Sequence, residues 1–323
     1  MSHSLKFAFF LNLCFVFFSG SLTAQGKSGA FSVIPLGVKG GSDESNLSAY
    51  LVASGGSNQF ICMDAGTLHA GIRKAIERKS LQGEVSAILQ QNIRGYFISH
   101  PHLDHLAGMI INSPDDSKKP IFGMPFCISV IKDKYFSWKS WANFGDAGEE
   151  PVLKKYHYVE MAENRAEKID GTGLKVTPFL LSHSSPYQST AFLITSGESH
   201  LLYLGDTGAD EVEKSQQLEQ LWKTIAPLIK QKSLKAIFIE VSFADDQKKE
   251  LLFGHLTPAL LMKEMKKLAD FTGAEQMKNL NVVITHQKPG GNREVNIPRE
   301  LKAANTLQLN LIFPEQGVVM HFR

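Results

Sequence analysis

Apolar residues along this chain fall into short runs separated by longer amphipathic stretches. Nine runs read as strands: FSVIPLGV (31–38), LSAYLVAS (47–54), QFICMD (59–64), GYFIS (95–99), LKVTPFLL (174–181), TAFLIT (190–195), HLLYLGD (200–206), AIFIEVSF (236–243) and NVVITH (281–286). They are rich in β-branched and aromatic residues, and turn-forming residues flank most of them. Helical spacing predicts helices over roughly 70–91, 124–134, 211–231, 257–270 and 298–305. Such a mixture indicates an α/β or α+β protein. No Pro-rich or Gly/Ser-rich linker interrupts the chain after its first residues, which predicts a single domain over 25–323.

Two of the strand pairs resemble each other. SAYLVASGGSNQFICMDAGT (48–67) aligns without gaps to TAFLITSGESHLLYLGDTGA (190–209). Ala49 meets Ala191, Leu51 meets Leu193, Ser54-Gly55 meets Ser196-Gly197, Asp64 meets Asp206 and Gly66 meets Gly208. Each block reads as a hairpin whose second strand ends at an aspartate and a glycine turn. The echo predicts two similar halves packed as a sandwich, with both aspartates at one edge.

The N-terminus has a different character. One lysine, Lys6, precedes an apolar run from Phe7 to Phe18, followed by small and polar residues. Twelve positions are short for a membrane span, which needs about 20 residues. The run fits the core of a secretory signal, with cleavage expected after Ala24 and a periplasmic or secreted mature protein. The alternative is an uncleaved anchor.

Composition narrows the chemistry. The chain has 323 residues, 43% hydrophobic and 20% charged, with a formal net charge of +2. That near-neutral balance gives no electrostatic footprint for nucleic acid. Of the three cysteines, only Cys62 and Cys127 follow the leader, and sequence alone leaves their pairing open. A thiolate metal module is excluded, so any metal must be held by histidine and carboxylate.

Three of the eleven histidines lie in SHPHLDHLAG (99–108), as His100, His102 and His105 around Asp104. An apolar strand precedes the motif and a helix-compatible run follows it. It therefore sits on a strand-to-helix loop where side chains converge. His100 and His102, two apart, share one side of an extended segment. Imidazole with carboxylate suits zinc and related ions.

This H-x-H-x-D-H motif resembles the hallmark of the metallo-β-lactamase superfamily, whose fold is an αββα sandwich of two similar halves. The resemblance extends through Asp64 in CMDAG, His183 in LLSHSS, Asp206 in YLGDTG and His286 in VITHQKP, each ending an apolar run. It implies two divalent metal ions, usually zinc. His100, His102 and His183 would hold one, and Asp104, His105 and His286 the other. Asp206 would bridge them, and Asp64 would stand behind the ligands and orient their loop.

The longer stretch HPHLDHLAGMIINSP resembles the signature of the class II cyclic nucleotide phosphodiesterases, as do FGHLTP (253–258) and THQKP (285–289). WANF (141–144) is a weaker match, since Ala142 stands where that family often has proline. His255 precedes a helix started by Thr257-Pro258 and follows a strand carrying Glu240. An acid beside an imidazole fixes the ring and raises its proton affinity.

The resemblance implies hydrolysis of cyclic AMP, and of cyclic GMP beside it, to the 5′-monophosphate. A metal-bridging hydroxide would attack, with His255 as general acid, Glu240 as its orienter, and Asp104 counted among both ligands and catalytic residues. Substrate contacts are expected from Trp141, Asn143 and Lys288. The aromatic segment KYFSWKSWANF (134–144) either stacks on a base or packs as a surface helix. The competing readings are a lactamase or thioester hydrolase, a nuclease, and a binding protein that does no chemistry. The oligomeric state has no signature in the sequence.

Overall fold

The computed structural model describes Met1 and residues 30–323, so the expected leader, 1–24, lies outside the described residues apart from its first methionine. The described residues form two seven-stranded sheets. The first runs β14-β1-β2-β3-β4-β5-β6 and the second β13-β12-β11-β10-β9-β8-β7.

The strands of the first sheet are β1 (Phe31–Gly37), β2 (Ala49–Ser54), β3 (Phe60–Met63), β4 (Ile93–Phe97), β5 (Lys119–Gly123), β6 (Tyr156–Glu160) and β14 (Met320–Phe322). Those of the second are β7 (Glu167–Ile169), β8 (Leu174–Ser182), β9 (Gln188–Ser196), β10 (Ser199–Leu204), β11 (Leu234–Glu240), β12 (Asn281–Thr285) and β13 (Asn310–Ile312).

The two sheets share one pattern of pairing. β14, β1, β2 and β3 pair antiparallel in turn, and β3 through β6 continue parallel. β7, β8, β9 and β10 pair antiparallel, and β10 through β13 continue parallel. The two echoing hairpins occupy equivalent places as β2–β3 and β9–β10. Directions follow from this pattern. β8, β10, β11 and β12 all run one way, so their C-terminal ends share one edge of the sheet. β1, β3 and β4 do the same in the first sheet. Side chains placed just after these strands meet at one rim.

The sandwich core is apolar, with Val33, Tyr50, Val52, Ile61, Phe97, Phe192, Ile194, Tyr203 and Phe238 between the sheets. Helices His69–Glu77, Leu103–Asn112 and Pro125–Val130 cover the outer face of the first sheet, and Gln217–Lys230, Pro258–Thr272 and Arg293–Ala304 that of the second. The architecture is the expected αββα sandwich.

Element boundaries depart from the sequence reading where capping intervenes. The stretch 70–91 breaks after Glu77, because Lys79 turns left-handed at φ 62° and Gly83 at φ 115°. The stretch 211–231 divides because the Asp210 carboxylate accepts from the amides of Leu218 and Glu219 and starts a new helix. The last predicted helix begins earlier, at Arg293, with Pro298 inside it. Cys62 and Cys127 are both free and buried, in the same core layer.

Candidate active site

The motif SHPHLDHLAG leaves β4, turns, and enters the helix Leu103–Asn112, as its pattern predicted. Asp104 lies in the first helical turn, where a carboxylate complements the helix dipole. Gly108 is required by packing: a Cβ there would stand 2.8 Å from the Ala65 carbonyl oxygen. That close approach seats the helix on the Asp64–Gly66 turn. The Asp64 carboxylate then accepts from Ser99 N at 2.8 Å, Ser99 Oγ at 3.0 Å and Tyr203 Oη at 2.7 Å, and bonds His105 Nδ1 at 2.8 Å. Asp64 itself takes φ 52°, the left-handed backbone that points its side chain back under the motif.

The other sheet supplies its groups from the ends of its parallel set. His183 follows β8, Asp206 lies two residues after β10, Glu240 ends β11, and His286 follows β12. The structure brings His100, His102, Asp104, His105, His183, Asp206 and His286 into one nest. His102 Nδ1 stands 3.0 Å from His100 Nε2 and 3.4 Å from His183 Nε2. His286 Nε2 stands 3.1 Å from His105 Nε2 and 3.2 Å from Asp104 Oδ2. Asp206 Oδ2 lies between the two groups, 3.3 Å from His105 and His286 Nε2, 3.7 Å from His100 and 4.0 Å from His183.

These spacings test whether the nest fits metal ions. Two ligands bound at about 2.0–2.1 Å in a tetrahedron lie about 3.3 Å apart. Imidazole nitrogens and carboxylate oxygens converging at that separation match such an edge. Among the described residues, three-donor groups within reach of one ion include His100/His102/His183, His100/His105/Asp206 and Asp104/His105/His286, and two further groups, His183/Asp206/His255 and Glu240/His255/His286, take in His255. The donor set therefore fits a His/Asp metal site.

Protonation agrees. Burial, together with neighbouring imidazoles, pushes His100 and His183 down and His102 to about 4. Burial would raise Asp104 and Asp206, but the imidazoles around them outweigh it and hold both carboxyls low. His105 is the exception: burial opposes its charge, yet Asp206, Asp64 and Asp104 raise it. Metal ligation requires neutral imidazoles and ionised carboxylates, so most of the nest is already in that state.

His255 stands at the edge of the nest, its ring 4.9 Å from that of His183 and 5.4 Å from that of His286. Its Nδ1 bonds Glu240 Oε1 at 2.8 Å, both groups being buried. Burial works against a charge on His255, but Glu240 and Asp206 outweigh it and its pKa is raised.

Several supporting groups carry no local sequence signal. Ser242 Oγ donates to Glu240 Oε2 at 2.7 Å and stands 3.0 Å from His286 Nδ1. The Gly254 carbonyl holds His183 Nδ1 at 2.9 Å, and the Gly41 amide donates to Asp104 Oδ2 at 2.8 Å. Tyr203 reaches Asp64 from the opposite sheet. Such contacts fix tautomer and ring orientation. They depend on chain segments far apart in sequence, so only the fold reveals them.

The expected substrate contacts fare differently. Asn143 is fully buried and bonds Ala147 O, Glu149 O and the Gly145 amide, so it organises its own loop. The Trp141 indole donates to Ser113 Oγ. Phe136 is core, and the Tyr135 hydroxyl donates to Pro101 O, bracing the histidine turn. In segment 134–144, then, Phe136 and Tyr135 brace the fold, while Trp138 and Trp141 keep partly exposed rings. Lys288 stays near, its Nζ 5.4 Å from the Phe243 ring centroid, and that ring is 5.8 Å from His255.

Comparison with known proteins gives a consistent picture. The family model described as "cAMP phosphodiesterases class-II" matches residues 30–317. A 3′,5′-cyclic-nucleotide phosphodiesterase of Aliivibrio fischeri is 41% identical over 317 residues, covering 94% of this chain and 95% of its own. Unliganded yeast PDE1 superposes with a TM-score of 0.80 at 22% identity, over 91% of this chain and 99% of that one. The metallo-beta-lactamase fold protein YhfI of Bacillus subtilis superposes with a TM-score of 0.60 at 16% identity, over 90% and 99%.

Proposed function

The chain belongs to the class II cAMP phosphodiesterase family and is a cyclic-nucleotide phosphodiesterase of metallo-β-lactamase fold; from that premise we propose that it hydrolyses cyclic AMP, and cyclic GMP beside it, to the 5′-monophosphate. The observation that carries the mechanism is the His255–Glu240 pair, at 2.8 Å, on the edge of the histidine and aspartate nest.

His100, His102 and His183 would hold one divalent ion, Asp104, His105 and His286 a second, and Asp206 would face both. Zinc suits this donor set. Such ions polarise phosphoryl oxygens and lower the pKa of water to about 7. The chain's own residues do the rest. Asp64, with Ser99 and Tyr203 behind it, fixes His105, and Ser242 fixes His286. Glu240 holds the His255 ring through Nδ1. Nε2, the ring nitrogen that Glu240 does not take, carries the proton delivered to the ribose O3′ as the P–O3′ bond breaks. Water supplies the oxygen added to phosphorus, so the 5′ ester survives. Lys288 lies on the His255 side and offers a cation to the phosphate.

The domain is read as 25–323, preceded by an exported leader over 1–24. Its lysine, apolar run and small residues support secretion to the periplasm or beyond, without a stable membrane anchor after cleavage. No helix among the described residues is long and apolar enough to cross a membrane.

Product analysis tests the reading. Incubation with cyclic AMP and cyclic GMP should yield the 5′-monophosphates, and His102→Ala should abolish them. Release of the 3′-monophosphate, or cleavage of thioesters or lactams in place of cyclic nucleotides, would refute it.

A further inference from the structure

A cavity of about 580 Å³ lies at the end of the second sheet away from the nest, within the roughly 300–1,000 Å³ that takes small ligands. Leu234 and Asn281, the first residues of β11 and β12, form part of its floor. The same strands end at Glu240 and at Thr285, the residue before His286. The seven residues of β11 span about 20 Å, at roughly 3.3 Å per residue. A small ligand held here therefore does not reach the nest.

The charge of this lining departs from that of the chain. The whole sequence has a formal net charge of only +2. Yet Lys232, Lys235, Lys278 and Arg323 bring four cationic side chains to the one cavity, against the single carboxylate side chain of Glu275. Three chain segments deliver them. Lys232 and Lys235 lie where the helix Gln217–Lys230 passes into β11, Lys278 follows the short helix Ala274–Met277, and Arg323 follows β14. The ion pairs of lysine and arginine among the described residues all lie elsewhere. Like charges gathered in one hollow repel each other and draw an anion. The fold also fixes one of them: Lys235 Nζ donates to Lys232 O at 2.9 Å, and the Asn281 side-chain amide donates to Lys235 O at 2.8 Å. An ammonium has three N–H donors, so Lys235 keeps two for a ligand.

We propose that this cavity binds a small anion carrying two phosphoryl groups. A phosphoryl group carries about −1.5 to −2 charges near pH 7, so two of them balance four cations less one carboxylate. Ammonium groups recognise phosphate as point charges. Inorganic phosphate brings half that charge and fills little of the volume. Gln276 and Asn279, on the same wall, offer amides to the body that carries the phosphates. A nucleoside diphosphate and a sugar bisphosphate share this chemistry. The site does not depend on the cyclic-nucleotide reading above.

Calorimetry on the zinc-loaded full chain with inorganic phosphate, fructose 1,6-bisphosphate and ADP tests the proposal. At least one of the two diphosphorylated probes should bind about tenfold more tightly than inorganic phosphate, and the tighter one names the source. Lys235→Glu combined with Lys278→Glu should weaken that probe by about tenfold or more. Glu275→Gln, which removes the opposing charge at an exposed position, should tighten it, and this gain of binding cannot come from a damaged fold. Any binding of the probe at the nest is common to wild type and variants, so the difference between them reports the cavity alone. An affinity that stays the same in both variants, no preference over inorganic phosphate, or tighter binding of a single-stranded oligonucleotide than of either probe would overturn the site.

Discussion

Removal of the proposed acid gives a prediction whose size can be worked out. His255 is 4% exposed, bonded to Glu240 through Nδ1 and flanked by the His183 and His286 rings. His255→Gln keeps most of the volume and a donor toward Glu240 but cannot deliver a proton. The ribose 3′ oxygen is a poor leaving group without one, so kcat on cyclic AMP should fall by about 10²–10⁴-fold. Bis(p-nitrophenyl) phosphate releases a stable phenolate and should lose less than about tenfold. Both rates are read by product chromatography or absorbance at matched metal content.

The pH profile adds a second axis. Glu240 and Asp206 outweigh burial and raise the His255 pKa above 6.5. Only the protonated ring serves as acid, so the rate on cyclic AMP falls as pH rises through the raised pKa of His255. Glu240→Gln removes a charge that favours protonation, and the alkaline limb should move to lower pH. Equal losses on the two substrates, or an alkaline limb that stays in place, would refute the acid role.

Other perturbations probe the scaffold. Gly40→Ala would put a Cβ 2.1 Å from the His286 ring, so metal affinity and turnover should collapse while circular dichroism stays native. Tyr203→Phe deletes the 2.7 Å bond to Asp64 and should weaken metal binding by about 10–100-fold in competition with a chromophoric chelator. Trp222→Ala, in the fully buried layer under the second sheet, should cost about 3–5 kcal/mol in urea unfolding. Residues 1–24 fused to a reporter active only outside the cytoplasm should give signal; cytoplasmic retention would refute export.

The site was legible in the sequence to the extent that chemistry is local. His100 to His105 announce themselves by spacing, and the hairpin echo placed Asp64 and Asp206 at equivalent strand ends. The nine apolar strands were visible because burial on one or both faces imposes a pattern. β5 and β6, with KPIFG and YHYVE, were hidden by lysine, proline and glutamate at their ends. β7, β13 and β14 have three residues each, too few for a period. Ser242, Tyr203 and Gly41 were illegible because their value lies in partners distant along the chain. The aromatic richness of 134–144 left two readings open because composition does not distinguish a ring that packs from one that binds. Phe136 entered the core, while Trp138 and Trp141 stayed partly exposed.

The most direct test of the central claim is reconstitution. Protein stripped of metal should form no 5′-AMP from cyclic AMP. Stepwise addition of zinc should restore 5′-AMP formation, reaching a plateau near two ions per chain if the proposed pair of donor groups about Asp206 is filled. A plateau below one ion per chain, or 5′-AMP formation that persists in the stripped protein, would contradict the account.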